Sequence, residues 1–339
     1  MPAIFLSFEP GARANYYGDK ALAALRELGE VRLNEQREEL DGAALATAAQ
    51  GCPVIVSDRR TPGSAALFAA SPQLAVFLRC AIDIRNIDVE AASAHGVLVT
   101  QASAGFVTSV AEWVLGAMID LSRGLSDSVH AWRSGATPAV RMGRELKGAT
   151  LGLIGYGQIA REVATLGAAL GMRVLAHDPL ARATAPVRQC AGLAELLAES
   201  DHVVCLAPAL PETEDLMDAA RFAQMKPGAY FINAARGNLV DEAALLQALE
   251  SGHLAGAALD VGRASDQMPT PALARHARVI ATPHIGGLTP PAVEHQALET
   301  VAQLSELLVG GMPRGAVNAQ HATRLGALRA TAPGSGQPP

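Results

Sequence analysis

The chain has 339 residues, half of them hydrophobic and 18% charged, with a formal net charge of -6. That length supports one large or two ordinary domains with a substantial buried core. Acidic and basic residues are interspersed, with no basic stripe, which argues against a nucleic-acid partner, and no apolar run is long enough to span a bilayer.

The N-terminus, "MPAIFLSFEP", lacks a basic region followed by a long apolar run, so no signal peptide is expected. Cys52, Cys80, Cys190 and Cys205 are scattered without a C-x-x-C pair. Reduced thiols packed as small apolar groups are expected, with no disulfide framework and no metal site. A cytoplasmic protein follows.

Short apolar runs alternate with helix-patterned segments, the rhythm of an α/β fold with a mostly parallel sheet. "IFL" (4–6), "VIV" (54–56), "LAVFL" (74–78) and "VLV" (97–99) read as the strands of a first sheet. A long helix is expected over 108–123, where Val110, Trp113, Val114, Ala117, Met118 and Leu121 keep a spacing of three and four. "HAWRSGATPAVRMGRELKG" reads as an exposed connection. A second sheet begins at residue 150, with strands expected at 151–154, 173–177, 202–206, 229–233, 256–261 and 278–282. Their near-continuous apolar character is that of buried parallel strands, and six strands with crossovers are the content of a dinucleotide-binding domain. A late helix is expected over 293–308, and the tail over 326–339 is expected to be disordered.

"TLGLIGYGQIAREV" (150–163) carries Gly155, Gly157 and Ala160. Between a strand and a helix, this spacing allows a tight turn, a close backbone approach to a pyrophosphate and close helix–strand packing. The next strand ends in Asp178, whose carboxylate suits ribose hydroxyls and repels a 2′-phosphate. NAD is therefore the expected cofactor. A purely structural turn is the bland alternative, and Arg182 keeps NADP open as another.

Ligands in such sheets bind beyond the carboxyl ends of the strands. Those ends read Gly155–Ala160, Asp178, Pro208, Arg236, Asp260 and His284. Arg236, in "NAARGNLVDE", offers a planar fork to a carboxylate and a neighbouring carbonyl, although an ordinary salt bridge also fits. His284, in "TPHIGG", can take a hydroxyl proton as hydride leaves and return it in reduction. The other histidines have no motif around them and are assigned structural roles.

At this point the chain resembles the D-isomer-specific 2-hydroxyacid dehydrogenase family, over about residues 50–320. "LKGATLGLIGYGQIA", "MKPGAYFINAARGNLVDEAALLQAL", "SGHLAGAALDV" and "VIATPHIGG" carry the resemblance, and "GVLVTQASAGFVTSVAEWVLGAM" looks like the family's crossing segment. The resemblance implies an α/β fold of two domains: a Rossmann domain (102–287) inserted into a discontinuous, flavodoxin-like substrate domain (1–101 and 288–325), with the active site in the cleft between them. It implies that Arg236 binds the substrate's carboxylate and keto oxygen, that His284 is the acid/base and that Asp260 faces the nicotinamide carboxamide. The implied NAD contacts are Tyr156, Gly157, Gln158, Ile159, Asp178, Ala207, Pro208, Ala234, Arg236, Asp260, His284 and Gly286. Homodimerisation through the NAD domain is also implied.

Two stretches depart from the family pattern. Where relatives place the glutamate that pairs with the catalytic histidine, "DVGRASDQMP" puts Ser265, with Asp266 next. Either Asp266 reaches His284, or the histidine works without a carboxylate and its imidazolium is less stabilised. Where relatives place a glycine-rich carboxylate-binding loop, "FLRCAIDIRNID" puts Arg79, Cys80 and Ala81 at the substrate, with Arg79 expected to meet an additional acidic group. The leading reading is NAD-dependent oxidation of a D-2-hydroxy acid. An NAD(H)-sensing corepressor with weak turnover is the alternative from another class, and a phosphorylated substrate is a third reading. No appended regulatory domain is expected beyond residue 320.

Overall fold

The computed structural model of the chain describes residues 1–329. The described residues divide into two compact units, one formed by Met1–Phe106 with 288–329, the other by Val107–Gly287.

The first unit is built on strands β1 (Ala3–Leu6), β2 (Glu30–Leu33), β3 (Val54–Ser57), β4 (Val76–Arg79) and β5 (Leu98–Gln101). They lie in the order β2-β1-β3-β4-β5, all pairs parallel, which is the flavodoxin-like order. Strand residues alternate between two cores. Ile4, Leu6, Val54, Val56, Val76, Leu78 and Leu98 face one, and Phe5, Ile55, Phe77 and Val99 face the other. Helix Pro290–Leu308 returns to this unit and buries Ala297, Leu304 and Leu307 in the first core. Fully burying a side chain such as Leu304 contributes about 1.5–3 kcal/mol, which ties the late helix to the early sheet. That helix begins three residues before its expected start, on Pro290 and Pro291, because proline in a first helical turn gives up no intrahelical hydrogen bond. Strand β2 escapes the sequence reading because "EVRL" is a short edge strand with two charged residues.

The second unit carries β6 (Thr150–Ile154), β7 (Arg173–His177), β8 (Arg188–Gln189), β9 (His202–Cys205), β10 (Tyr230–Asn233), β11 (Gly256–Leu259) and β12 (Val279–Ala281). Their order is β12-β11-β10-β9-β6-β7-β8, again parallel throughout. Strands β8-β7-β6-β9-β10-β11 follow the Rossmann order, and the three-residue β12 is added at the edge beside β11. The chain order reverses at β6, so a crevice opens between the carboxyl ends of β6 and β9. Helix Val107–Arg123 packs on helix Gln158–Ala169 and on β10 and β11, burying Val110, Val114, Ala117 and Met118. The stretch expected to be an exposed connection, 130–148, begins inside helix Leu125–Arg133 and is irregular beyond it.

Of the expected disordered tail, residues 326–329 belong to helix Leu325–Arg329, and 330–339 lie outside the described residues. Among the described residues the four cysteines are buried and free, no cluster of three or more histidine, cysteine or carboxylate residues could hold a metal ion, and no helix is long and apolar enough to cross a membrane.

Candidate active site

The turn after β6 is built as its glycines require. Gly155 has φ +87, and a Cβ there would lie 2.9 Å from the backbone of Ala207, so the turn closes directly against the end of β9. Gly157 is the N-cap of helix Gln158–Ala169 and has no side-chain cap, while a Cβ on it would meet nothing within 4 Å. Open space therefore faces uncapped helix N–H groups, the arrangement a pyrophosphate needs. Gln158 is exposed, Ile159 half-buried, and Ala160 is buried where the helix meets the sheet. The Arg161 guanidinium stacks 4.9 Å over the buried Tyr156 ring.

Asp178 closes the other side of this turn. Its Oδ2 accepts from the Tyr156 N–H at 2.8 Å, and Oδ1 accepts from the Leu180 and Ala181 N–H groups, each at 2.8 Å. Burial works against ionisation, but these N–H groups and nearby His177 prevail and hold the carboxyl below its usual range. Oδ2 retains an acceptor position for a ribose hydroxyl, and the fixed negative charge opposes a 2′-phosphate. The residues present fit the dinucleotide. Ala207 is buried beside Gly155, and Pro208 is exposed just beyond it, its carbonyl accepting from the Thr213 hydroxyl at 2.8 Å.

Arg236 follows β10 in a turn held by Asn233. The Asn233 amide donates to the Arg236 carbonyl at 2.9 Å, and its Oδ1 accepts from the Ala235 N–H at 3.1 Å. Ala234 and Arg236 are half-buried, and Arg236 Nη1 donates to the Ala235 carbonyl at 2.7 Å. Gly237 must be glycine, because a Cβ there would sit 2.0 Å from the Gly262 carbonyl oxygen. The Arg236 turn and the loop after β11 thus touch backbone to backbone.

Asp260 organises the histidine turn. It is 3% exposed, and its carboxylate accepts from the Thr282 hydroxyl at 2.6 Å and from the Ile285 and Gly286 N–H groups at 2.8 and 2.7 Å. The His284 N–H donates to the Asp260 carbonyl at 3.0 Å, and His284 itself has φ +57. A β-carbon-bearing residue in this region costs about 1–3 kcal/mol and persists where its surroundings over-determine it. The Asp260 contacts supply that constraint. A Cβ at Gly286 would come within 2.7 Å of Asp260 Oδ2, so the backbone must pass close there.

One expectation takes a particular form and another needs correction. Asp266 meets His284 through its backbone carbonyl, which lies 2.9 Å from His284 Nδ1. The reason is local: Asp266 and Gln267 both take left-handed backbone, φ 55 and 59, which turns a peptide oxygen toward the ring. A carbonyl only accepts, so Nδ1 carries a proton in this contact. Arg79, in turn, is no receptor for an acidic group. It is fully buried, with Nη1 donating to the Asp58 carbonyl and Nη2 to the Thr61 carbonyl and Asn86 Oδ1 at 2.8 and 2.9 Å. Burial, opposed by Asp58, lowers its pKa to about 10. Cys80 and Ala81 are also buried, and burial pushes the Cys80 thiol up.

The sequence reading missed Thr282, Asn233, Gly237 and Gly262 as supports of the site. Asn233 and Thr282 had a usable signal, since each is a short polar residue at or beside a strand's carboxyl end.

The family described as "D-isomer specific 2-hydroxyacid dehydrogenase, NAD binding domain" matches residues 115–286. The chain is 37% identical over 270 residues to (S)-sulfolactate dehydrogenase of Chromohalobacter salexigens, covering 78% of this chain and 86% of that one. It is 35% identical over 294 residues to D-3-phosphoglycerate dehydrogenase of Rattus norvegicus, covering 85% of this chain. The chain spans 55% of the length of that curated relative. The apo-structure of D-lactate dehydrogenase from Escherichia coli superposes with a TM-score of 0.79 at 25% identity, covering 94% of this chain and all of that one. The chain belongs to the D-isomer specific 2-hydroxyacid dehydrogenase family. Its cofactor is NAD, held by the inserted unit.

Proposed function

We propose that the protein interconverts a D-2-hydroxy acid and its 2-oxo acid. Arg236 grips the substrate carboxylate and polarises the C2 oxygen, and His284 Nε2 takes the hydroxyl proton in oxidation and returns it in reduction. NAD, when bound, accepts the hydride that leaves C2. Tyr156, Gly157, Gln158, Ile159, Asp178, Ala207, Pro208, Ala234, Asp260 and Gly286 form the cofactor's surroundings in this reading. Asp260 holds the histidine turn, and Asp266 acts through its carbonyl.

The observation that carries the reading is the His284 turn, in which the Asp266 carbonyl 2.9 Å from Nδ1 and the Asp260 contacts orient the ring. The test is NADH and NADPH consumption against glyoxylate, hydroxypyruvate and 2-oxoglutarate, with 3-phosphoglycerate and sulfolactate run in the oxidative direction. Turnover with NADH well above NADPH is expected. Tight NADH binding with no turnover on any of them would sink the reading.

The protein is also read as a homodimer through the inserted unit. Leu125, Val129 and Trp132 share one face of helix Leu125–Arg133 and are 52, 46 and 64% exposed, an apolar stripe that a second copy would cover. A light-scattering mass of one chain, 35.0 kDa, would refute this. Four buried free thiols fit a reducing compartment such as the cytoplasm, which cell fractionation checks.

A further inference from the structure

We infer that Arg263 is a positioning residue, a strap that fastens the loop carrying the His284 acceptor to the turn carrying Arg236. The inference rests on the dehydrogenase reading above.

The loop after β11 closes on itself. The Gly262 N–H donates to the Gln267 carbonyl at 2.7 Å, and the Ala264 N–H to the Met268 carbonyl at 3.0 Å. Closing it so tightly puts Asp266 and Gln267 in left-handed backbone, which resists being held unless neighbours enforce it. Asp266 is the residue whose carbonyl must stay on His284 Nδ1.

Arg263 supplies the enforcement. Its own N–H donates to Glu242 Oε1 at 3.0 Å. Its Nε donates to the Val240 carbonyl and its Nη2 to the Asn238 carbonyl, both at 3.1 Å. Nη1 pairs with Glu214 at 2.8 Å and Nη2 pairs with Asp215. Asn238 and Val240 follow Arg236 almost directly, and the Asn238 amide donates to the second Glu214 oxygen at 2.8 Å. The guanidinium therefore spans the two loops at the same crossing where Gly237 and Gly262 touch. The two ion pairs alone would carry little, being half exposed. The carbonyl contacts are different in kind, because they fix backbone and use the planar fork that a lysine lacks.

The test compares the parent chain with Arg263→Ala and Arg263→Lys. Steady-state kinetics use whichever acid the substrate panel identifies. In parallel, 15N-histidine-labelled protein without substrate reports the His284 Nδ1 proton, assigned by its loss in His284→Asn. Arg263→Ala is expected to lower kcat by about 10- to 100-fold, as a small misplacement of reacting groups does, with the KM for NADH little changed. The Nδ1 proton signal should be lost to exchange, added guanidinium ion should restore part of kcat, and Arg263→Lys should fall between. An unchanged kcat, or a loss of kcat with the Nδ1 proton still protected, would overturn the inference. If Arg263→Ala does not fold, the double variant Glu214→Gln/Asp215→Asn loosens the same strap from its exposed side. It should weaken Nδ1 protection and kcat together, and a variant matching the parent in both also overturns the inference. A parent without turnover removes the dehydrogenase reading, while the Nδ1 signal still judges the strap.

Discussion

The two parallel sheets present their carboxyl edges in opposite ways. On the seven-stranded sheet, the edge carries half-buried Arg236 and His284 on turns whose geometry is held from beneath by Asn233 and Asp260. On the five-stranded sheet, the corresponding edge carries Arg79, fully buried, with both terminal nitrogens occupied by carbonyls and an amide of its own unit. Both arginines end or follow a buried strand, and both sit where ligands bind in open α/β sheets. The comparison teaches that a strand-end position nominates a residue, while burial and prior hydrogen bonding decide its role. The Asp58–Thr61 loop folds over Arg79 and uses it as a pin, whereas the Arg236 turn is closed by Asn233 and leaves Arg236 half-buried.

Substitutions at the two edges should therefore fail differently. The largest effect is expected for His284→Asn, which should lower kcat by about 100- to 10,000-fold while the Kd for NADH, read by fluorescence titration, stays near the parent value. Retained turnover would show that the seven-stranded edge is no more chemical than the other. Arg79→Met comes next and should act on stability. It strips donors from the Asp58 and Thr61 carbonyls and from Asn86, so a cost of about 3 kcal/mol or more is expected in urea unfolding, with kcat per folded molecule largely kept. A stable variant with a raised KM for the acid would instead return Arg79 to the substrate. The smallest effect concerns a second histidine that is spent rather than available. His202 is buried against Tyr230, its Nε2 is 3.0 Å from the Ser122 hydroxyl, and burial lowers its pKa to about 4. Because the folded pKa lies below the unfolded value, protonation favours unfolding, and stability falls as pH drops from about 6.5 toward 4. The loss approaches about 3 kcal/mol at the bottom of that window. His202→Gln should flatten the melting temperature over that range, and an unaltered slope would contradict the assignment.

Much of the inserted unit is legible from residue order. Its buried parallel strands are continuous apolar runs, and the Gly155–Gly157–Ala160 turn and the strand-end Asp178 keep their spacing. Edge strands β2 and β8 are not, because a short strand paired on one side tolerates charge and needs no apolar run. The loop after β11 was legible only as a departure. "DVGRASDQMP" lacks the glutamate of the family pattern, but a one-dimensional string does not report that two left-handed residues turn a peptide oxygen toward His284.

Residue order settles the alternation of strands and helices, the dinucleotide turn and the set of polar residues delivered to one sheet edge, because strand period and glycine geometry are local properties of the chain. Folding settles which of those polar groups stay available. Burial and hydrogen-bond partners come from segments far apart in sequence, so Arg79 becomes a pin, Asp260 a brace and the Asp266 carbonyl an acceptor for His284 Nδ1.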